Sequence, residues 1–239
     1  MEEKQNMPES SAHSEDAGKK FSWKNFILDV GLDVIIVVIM VLFIRTFVFS
    51  PFRVHGPSMC NTFNYYSGEC LTGDGEFLIT SKLPTWSIFG FSFAHIERGD
   101  VVVFDAPYTD EEYYIKRVIG LPGETVKIAD GFVYIKNAYG EYQMLNETYL
   151  NEENWGHTTP HRTESQEFNV PEGKYFVLGD NRTKSSDSRR CFQSLGCTGD
   201  SSPFLDANAI AGEAKLVAFP LSHFRWISNF DYSSSLPLQ

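Results

Sequence analysis

Three stretches of this 239-residue chain carry side chains able to do covalent or acid–base chemistry. Gly56-Pro57-Ser58-Met59-Cys60-Asn61-Thr62 places a hydroxyl in a turn. Tyr114 to Glu124 carries Lys116 on a strand-like run, and Gly179 to Arg189 packs charge among turn formers. A hydroxyl is a poor nucleophile until a base takes its proton, and the common base is a histidine oriented by a carboxylate. The six histidines, at 13, 55, 95, 157, 161 and 223, fall in no evident catalytic signature. A serine–lysine pair is the open alternative. On a strand, Tyr114, Lys116 and Val118 share one face and Ile115, Arg117 and Ile119 the other. If both faces are apolar, a basic residue must sit inside. A buried lysine loses the solvation of its charged form, so its pKa falls and the neutral amine becomes a usable base near pH 7. Taken singly, Lys116 reads first as a solvated strand charge, and Ser58 as a structural residue of its turn.

In the third stretch Asp187 and Arg189 stand two apart, so an extended chain sets them on one face where they can pair; the plain alternative is an exposed hydrophilic loop. No stretch has the glycine spacing of a nucleotide-phosphate loop, and no His/Cys cluster has zinc spacing, so neither cofactor nor metal is expected. Composition narrows the class further. Twenty Lys and Arg against 31 Asp and Glu give a net charge of −11, without the basic footprint of a nucleic-acid reader. Hydrophobic residues at 42% and aromatics at 15% argue against disorder. A mean hydropathy of −0.22 excludes a polytopic transporter but not a single span.

The elements that must position these residues begin with that span. Val34 to Ile44 is apolar without a break, and Phe26 to Ile44 is interrupted only by Asp29, Gly31 and Asp33. At ~1.5 Å per residue it covers roughly 28 Å, close to a hydrocarbon core of ~30 Å. A cleaved signal peptide needs a small-x-small site after its apolar run; here the bulky, basic Arg45-Thr46-Phe47-Val48-Phe49-Ser50 follows. Lys19, Lys20 and Lys24 before the span, against Arg45 and Arg53 after it, put the N-terminus in the cytoplasm. Residues 1–20 read as a disordered tail, 21–49 as the membrane region, 50–223 as an extracytoplasmic β domain and 224–239 as a C-terminal tail. Strand signals recur at Phe77–Thr80, Val101–Phe104, Tyr113–Ile119, Thr125–Ile128, Phe132–Ile135, Tyr175–Leu178 and Lys215–Phe219. Ala207 to Ala214 is the best short helix candidate outside the span, weakened by Gly212. Residues 137–174, rich in Asn, Glu, Tyr and His, read as an insertion or long connection packed on the β core. The fold class is mainly β: one transmembrane helix and then a β-rich domain.

Taken together, in this order and after a single N-terminal span, the three stretches resemble bacterial type I signal peptidase, the membrane-anchored serine–lysine protease family. Ser58 to Thr62 is similar to the family's serine box, and Gly99 to Phe104 resembles a second box. Tyr114 to Glu124 matches the lysine box, and Gly179 to Arg189 the last box through its Gly-Asp-Asn-Arg start and Ser-x-Asp-Ser-Arg end. The likeness implies a signal-peptidase-like catalytic domain and hydrolysis through an acyl-enzyme, with Ser58 as nucleophile and Lys116 as general base. It implies that Ser185 hydrogen-bonds and orients the Lys116 amine, that Asp187 pairs with Arg189 and Arg117, and that the Ser58 backbone N–H stabilises the oxyanion. The partners implied are preprotein signal peptides and membrane lipid, with no nucleic acid, and the protein is expected to be a monomer. Family members prefer small residues one and three positions before the cut.

Two departures stand out. Asn61 replaces a proline usual in the serine box, which is expected to loosen the turn. Gly56 stands where some members place a serine that gives a second oxyanion donor, so that donor must come from backbone, water or elsewhere. The related self-cleaving repressors are soluble and carry a DNA-binding domain that this acidic chain lacks. A catalytically dead β module is disfavoured by the intact Ser58 and Lys116. All four cysteines, Cys60, Cys70, Cys191 and Cys197, follow the span, and their even number permits two disulfides. The local pairs are the simplest pairing, and Cys60–Cys191 is an alternative. Trp86 to Phe93 is aromatic-rich and reads as core packing or as a lip at the membrane interface.

Overall fold

Val34 to Ile44 is apolar on every face, so it offers no stripe by which a core could seat it. In the computed structural model, which describes residues 22–232 apart from 67, 71–72, 83–86, 89–90, 93–94, 109–111 and 162–164, this segment lies in helix α1, Trp23–Phe43. A π-helical turn, Ile44–Val48, follows. The apolar stretch Phe26–Val48 is long enough to cross a membrane and none of it is buried. Its large apolar side chains from Phe26 to Phe43 are 45% to 70% exposed, the pattern of a helix made for lipid rather than for a protein interior.

Beyond it, the regular structure among the described residues is strands and short 3-10 turns. β1 (Phe49–His55) follows the π turn directly. β2 (Tyr65–Tyr66) and β3 (Glu69–Cys70) form a small ribbon, followed by β4 (Asp74–Ser81). A second ribbon is β5 (Ser87–Ile88) with β6 (Phe91–Ser92). Then come β7 (Val101–Asp105), β8 (Tyr113–Gly120), β9 (Thr125–Ala129), β10 (Phe132–Lys136), β11 (Tyr142–Met144) and β12 (Ser165–Asn169). β13 (Lys174–Leu178), β14 (Leu205–Asp206), β15 (Ile210–Phe219) and β16 (Arg225–Trp226) complete the set. The larger sheet runs β1-β4-β15-β7-β8-β13-β14, with β16 also on β15; the smaller runs β11-β10-β9-β12. All pairings are antiparallel.

The turn Leu121–Glu124 carries the chain from the large sheet to the small one. Gly123 takes φ +82° there, a conformation that glycine adopts at no steric cost, and the Leu121 N–H donates to Glu124 Oε2 at 2.7 Å. One core lies where the two sheets meet, built on Ile119, Val126, Ile128, Val133, Phe168 and Phe176. A second lies under β1, β4 and β15 and takes in Met59 and Phe63, which sets the serine box onto the large sheet.

Three expectations change. Residues 137–174 are not merely a connection: they supply β11 and β12, and Leu145 and Phe168 are buried in the shared core. Residues 224–232 are not a tail: β16 pairs with β15, and Tyr232 is buried, its hydroxyl donating to Tyr149 Oη at 2.9 Å. Ala207–Ala214 is not a helix but a 3-10 turn, Ala207–Ala209, running into β15. Gly212 packs so closely on β4 that a Cβ there would lie 2.8 Å from the Ser81 carbonyl oxygen. The missing side chain lets two strands approach, where sequence periodicity suggested only a weak helix. Of the aromatic stretch, β5 and β6 pair as Ser87↔Ser92 and Ile88↔Phe91; positions 86, 89, 90 and 93 lie outside the described residues, and the interfacial lip lies with them.

Candidate active site

Ser58 is held by a turn that is fixed from several sides. The Cys60 N–H donates to the Pro57 carbonyl at 3.0 Å, and the Thr62 and Phe63 N–H groups both reach the Met59 carbonyl. Met59 and Phe63, each 1% exposed, anchor the turn in the core beneath β4. The last box closes over it: the Asn181 N–H donates to the Ser58 carbonyl at 3.1 Å, and Thr62 Oγ1 donates to Asp180 Oδ2 at 2.5 Å. Asn61 takes φ +99°, which the proline ring, locked near −65°, cannot adopt. Its Nδ2 donates to the Tyr149 carbonyl at 2.7 Å, and the neighbouring Cys60 is bonded to Cys70. The replacement of proline therefore does not loosen the turn; a side-chain hydrogen bond and a covalent bridge hold it. The second bridge is Cys191–Cys197.

β8 carries the lysine. Both of its faces are covered, so Lys116 and Arg117, at 3% exposure each, are both buried and point opposite ways. Lys116 Nζ lies 2.9 Å from Ser58 Oγ and donates at 2.8 Å to the Ile115 carbonyl. Burial drives the Lys116 pKa down from 10.5 to about 8, partly offset by the carboxylates of Asp187 and Asp180. A hydroxyl against an amine that is easily deprotonated is the arrangement a nucleophile and its base require.

The Ser58–Lys116 contact opens on a cleft of about 510 Å³. Phe52, Val54, Leu78, Val103 and Ile115 give it an apolar wall, while Arg53, His55, Glu112 and Lys184 also line it. Among the described residues no cluster of His, Cys, Asp and Glu could hold a metal ion.

Two expected contacts differ. Arg117 pairs with Asp180, not with Asp187: its Nε and Nη2 donate to the two carboxylate oxygens at 2.9 and 2.7 Å. The cause is strand alternation, which turns Arg117 away from the Lys116 face and toward Asp180 and the Gly99 carbonyl. Asp187 is engaged by Arg189 through Nε and Nη2 at 2.9 and 2.8 Å. Burial pushes the Asp187 carboxyl up, but Arg189 and the Gly179 N–H outweigh burial and hold it below the ordinary 3.8. Ser185 does not hydrogen-bond Lys116, whose amine is already engaged by Ser58 Oγ and the Ile115 carbonyl. The buried Ser185 hydroxyl faces Asp187 instead, where it helps hold that carboxyl down, and packs on Gly179, where a Cβ would lie 2.2 Å from it.

Sequence reasoning missed a layer beneath the site. Arg182, from the last box, donates to both oxygens of Glu147 at 2.8 and 2.6 Å, to Thr158 Oγ1 at 2.6 Å and to Tyr149 Oη at 3.0 Å. Glu147, Tyr149 and Thr158 all come from 137–174, so that segment braces the last box. Their one sequence signal is the density of polar and aromatic residues where a surface loop carries fewer.

Comparison with known proteins identifies a family for the chain. Residues 27–219 match the family described as signal peptidase, peptidase S26. A signal peptidase I of Bacillus licheniformis is 34% identical over 212 residues, covering 87% of this chain and 96% of that protein. Signal peptidase I T of Bacillus subtilis strain 168 is 32% identical over 217 residues, covering 91% and 97%. A crystal structure of a signal peptidase I from Enterococcus faecalis V583 aligns with TM-score 0.35 at 32% identity, over 49% of this chain and 95% of that one. With the serine and lysine boxes joined at one cleft and the match running through nearly all of the described strands, the chain belongs to the signal peptidase, peptidase S26, family of serine peptidases.

Proposed function

We propose that this protein removes signal peptides from exported preproteins, working as a monomer from a membrane anchor with Ser58 and Lys116 as a catalytic dyad. The observation that carries the reading is the 2.9 Å approach of a buried lysine amine to a serine hydroxyl at the floor of an open cleft. When Lys116 is neutral its lone pair takes the Ser58 hydroxyl proton as Oγ attacks the scissile carbonyl carbon. The Ser58 backbone N–H, which meets no acceptor among the described residues, donates to the oxyanion that develops. Lys116 then gives its proton to the departing amine, the C–N bond breaks, and an ester to Ser58 remains. A water activated by Lys116 hydrolyses the ester and regenerates both groups. The apolar wall suits the small side chains that precede the cut, and Asp187, with Arg189, keeps the last box against the lysine strand.

The basic residues ahead of α1 support an N-terminus in the cytoplasm and a catalytic domain outside it. The two disulfides support the same placement, since such bonds persist in oxidising compartments. The test is cleavage of a preprotein in non-ionic detergent by wild type, Ser58→Ala and Lys116→Ala. Wild type is expected to release the signal peptide and both variants to lose activity by about a thousandfold or more. Cleavage by either variant at the wild-type rate overturns the dyad.

A further inference from the structure

A second cavity, of about 240 Å³, lies behind the last box and shares no lining residue with the catalytic cleft. Its lining is chemically one-sided. Arg182, Arg189, Arg190, His157 and His161 contribute basic groups. Thr159, Thr183 and Ser185 contribute hydroxyls, and among the described residues no carboxylate lines it. This is unexpected in a chain whose residues after 50 hold twenty-four Asp and Glu against fifteen Lys and Arg.

The charge there is only partly balanced. Arg182 and Arg189 are paired with Glu147 and Asp187; all five Arg182 N–H groups already meet acceptors, and Arg189 also reaches the Thr159 and Arg182 carbonyls, so these two line the cavity without offering it a free fork. Arg190, half-buried on the 3-10 turn Ser188–Arg190, makes no side-chain hydrogen bond or ion pair among the described residues. His161 Nε2 is buried without a partner, packed against Gly196. The unengaged Arg190 fork, with hydroxyls around it, matches the oxygens of a tetrahedral oxyanion, to which arginine gives bidentate, charge-assisted hydrogen bonds. We infer that this cavity is a binding site for a phosphate-type oxyanion, with Arg190 as its principal cation and Thr183, whose hydroxyl donates to Asn181 Oδ1 at 3.1 Å, turning to the ligand as a hydroxyl donor. The reading is independent of the protease chemistry, because the cavity and the cleft are separate.

The experiment uses the full chain in non-ionic detergent and phosphate-free buffer at fixed pH. Inorganic phosphate is titrated against sodium chloride of matched ionic strength, which removes general screening, and the melting temperature and heat of binding are read. Phosphate is expected to raise the melting temperature saturably where chloride does not. Arg190→Gln is expected to weaken phosphate binding about tenfold or more, with an unchanged melting temperature before phosphate is added. Should that variant be destabilised, Thr183→Val, at an exposed position in the same cavity, is to show the same weakened response. Vesicles of phosphatidylglycerol against phosphatidylcholine, with wild type and Arg190→Gln, separate a lipid headgroup from free phosphate as the source. Equal effects of phosphate and chloride, or wild-type phosphate affinity in both variants, overturn the inference.

Discussion

On the proposed dyad, lowering the pH from 8 to 6 protonates Lys116 and leaves the Ser58 hydroxyl unchanged. With the Lys116 pKa at about 8, roughly half of the amine is neutral at pH 8, roughly one molecule in ten at pH 7 and roughly one in a hundred at pH 6. At its ordinary 10.5 the neutral fraction at pH 7 would be roughly one in three thousand. Burial by β7, β8 and the last box therefore raises the supply of working base about three-hundredfold at neutral pH. The assay is kcat/KM for a preprotein well below saturation in detergent, with circular dichroism to show that the fold persists at pH 6. The rate constant is expected to fall about fiftyfold between pH 8 and pH 6 and to level off above pH 9. Lys116→Arg is expected to be inactive at every pH, since a guanidinium never gives up its proton in this range. A flat profile from 6 to 8 refutes the reasoning. So does a pH dependence that vanishes in His55→Gln, because His55 lines the same cleft and would then be the base.

Three further outcomes test what surrounds the site. Burial pushes the Asp100 carboxyl up from 3.8 to about 6, with Glu213 adding to the rise and a hydrogen bond from the Glu97 N–H opposing it. The folded chain thus holds the proton more tightly than the unfolded one, and stability falls as pH rises from about 4 to 6; Asp100→Asn is expected to gain on the order of 2 kcal/mol at pH 7 and nothing at pH 4, read from melting curves. Arg182→Met leaves Glu147 buried and unpaired and is expected to cost about 3–5 kcal/mol in urea unfolding, which a surface ion pair would not. Replacing Cys60 and Cys70 together by serine frees the loop beside the nucleophile and is expected to cost about 3 kcal/mol of stability, measured under non-reducing conditions.

The strands that carry the chemistry were readable because their residues alternate or are apolar throughout: Val101–Phe104 and Tyr113–Ile119 became β7 and β8 with little change. β1 was not, because Phe49–His55 contains Pro51 and follows the span, and so reads as an exit segment. β15 was obscured by Gly212, whose meaning appears only against Ser81. At the site, the approach of Ser58 to Lys116 followed the resemblance, whereas the partner of Arg117 did not. Asp180 and Asp187 stand in the same box, and only the opposite facing of Lys116 and Arg117 decides between them. The brace from Glu147 to Arg182 spans 35 positions, and neither periodicity nor spacing reports on such a pair.

The position of β15 sets when this protease can exist. It lies between β4 and β7, yet it is made nearly last, after residue 209. Until it arrives, β1 and β4, which lie beneath the serine turn, have no strand joining them to β7 and β8, which hold the lysine. The clasp from Asn181 to Ser58 likewise waits on the final third of the chain. Contacts of such long range close late in folding. A growing chain therefore carries Ser58 and Lys116 on two segments that β15 has yet to join. The strand order itself thus sets when the Ser58–Lys116 pair can form.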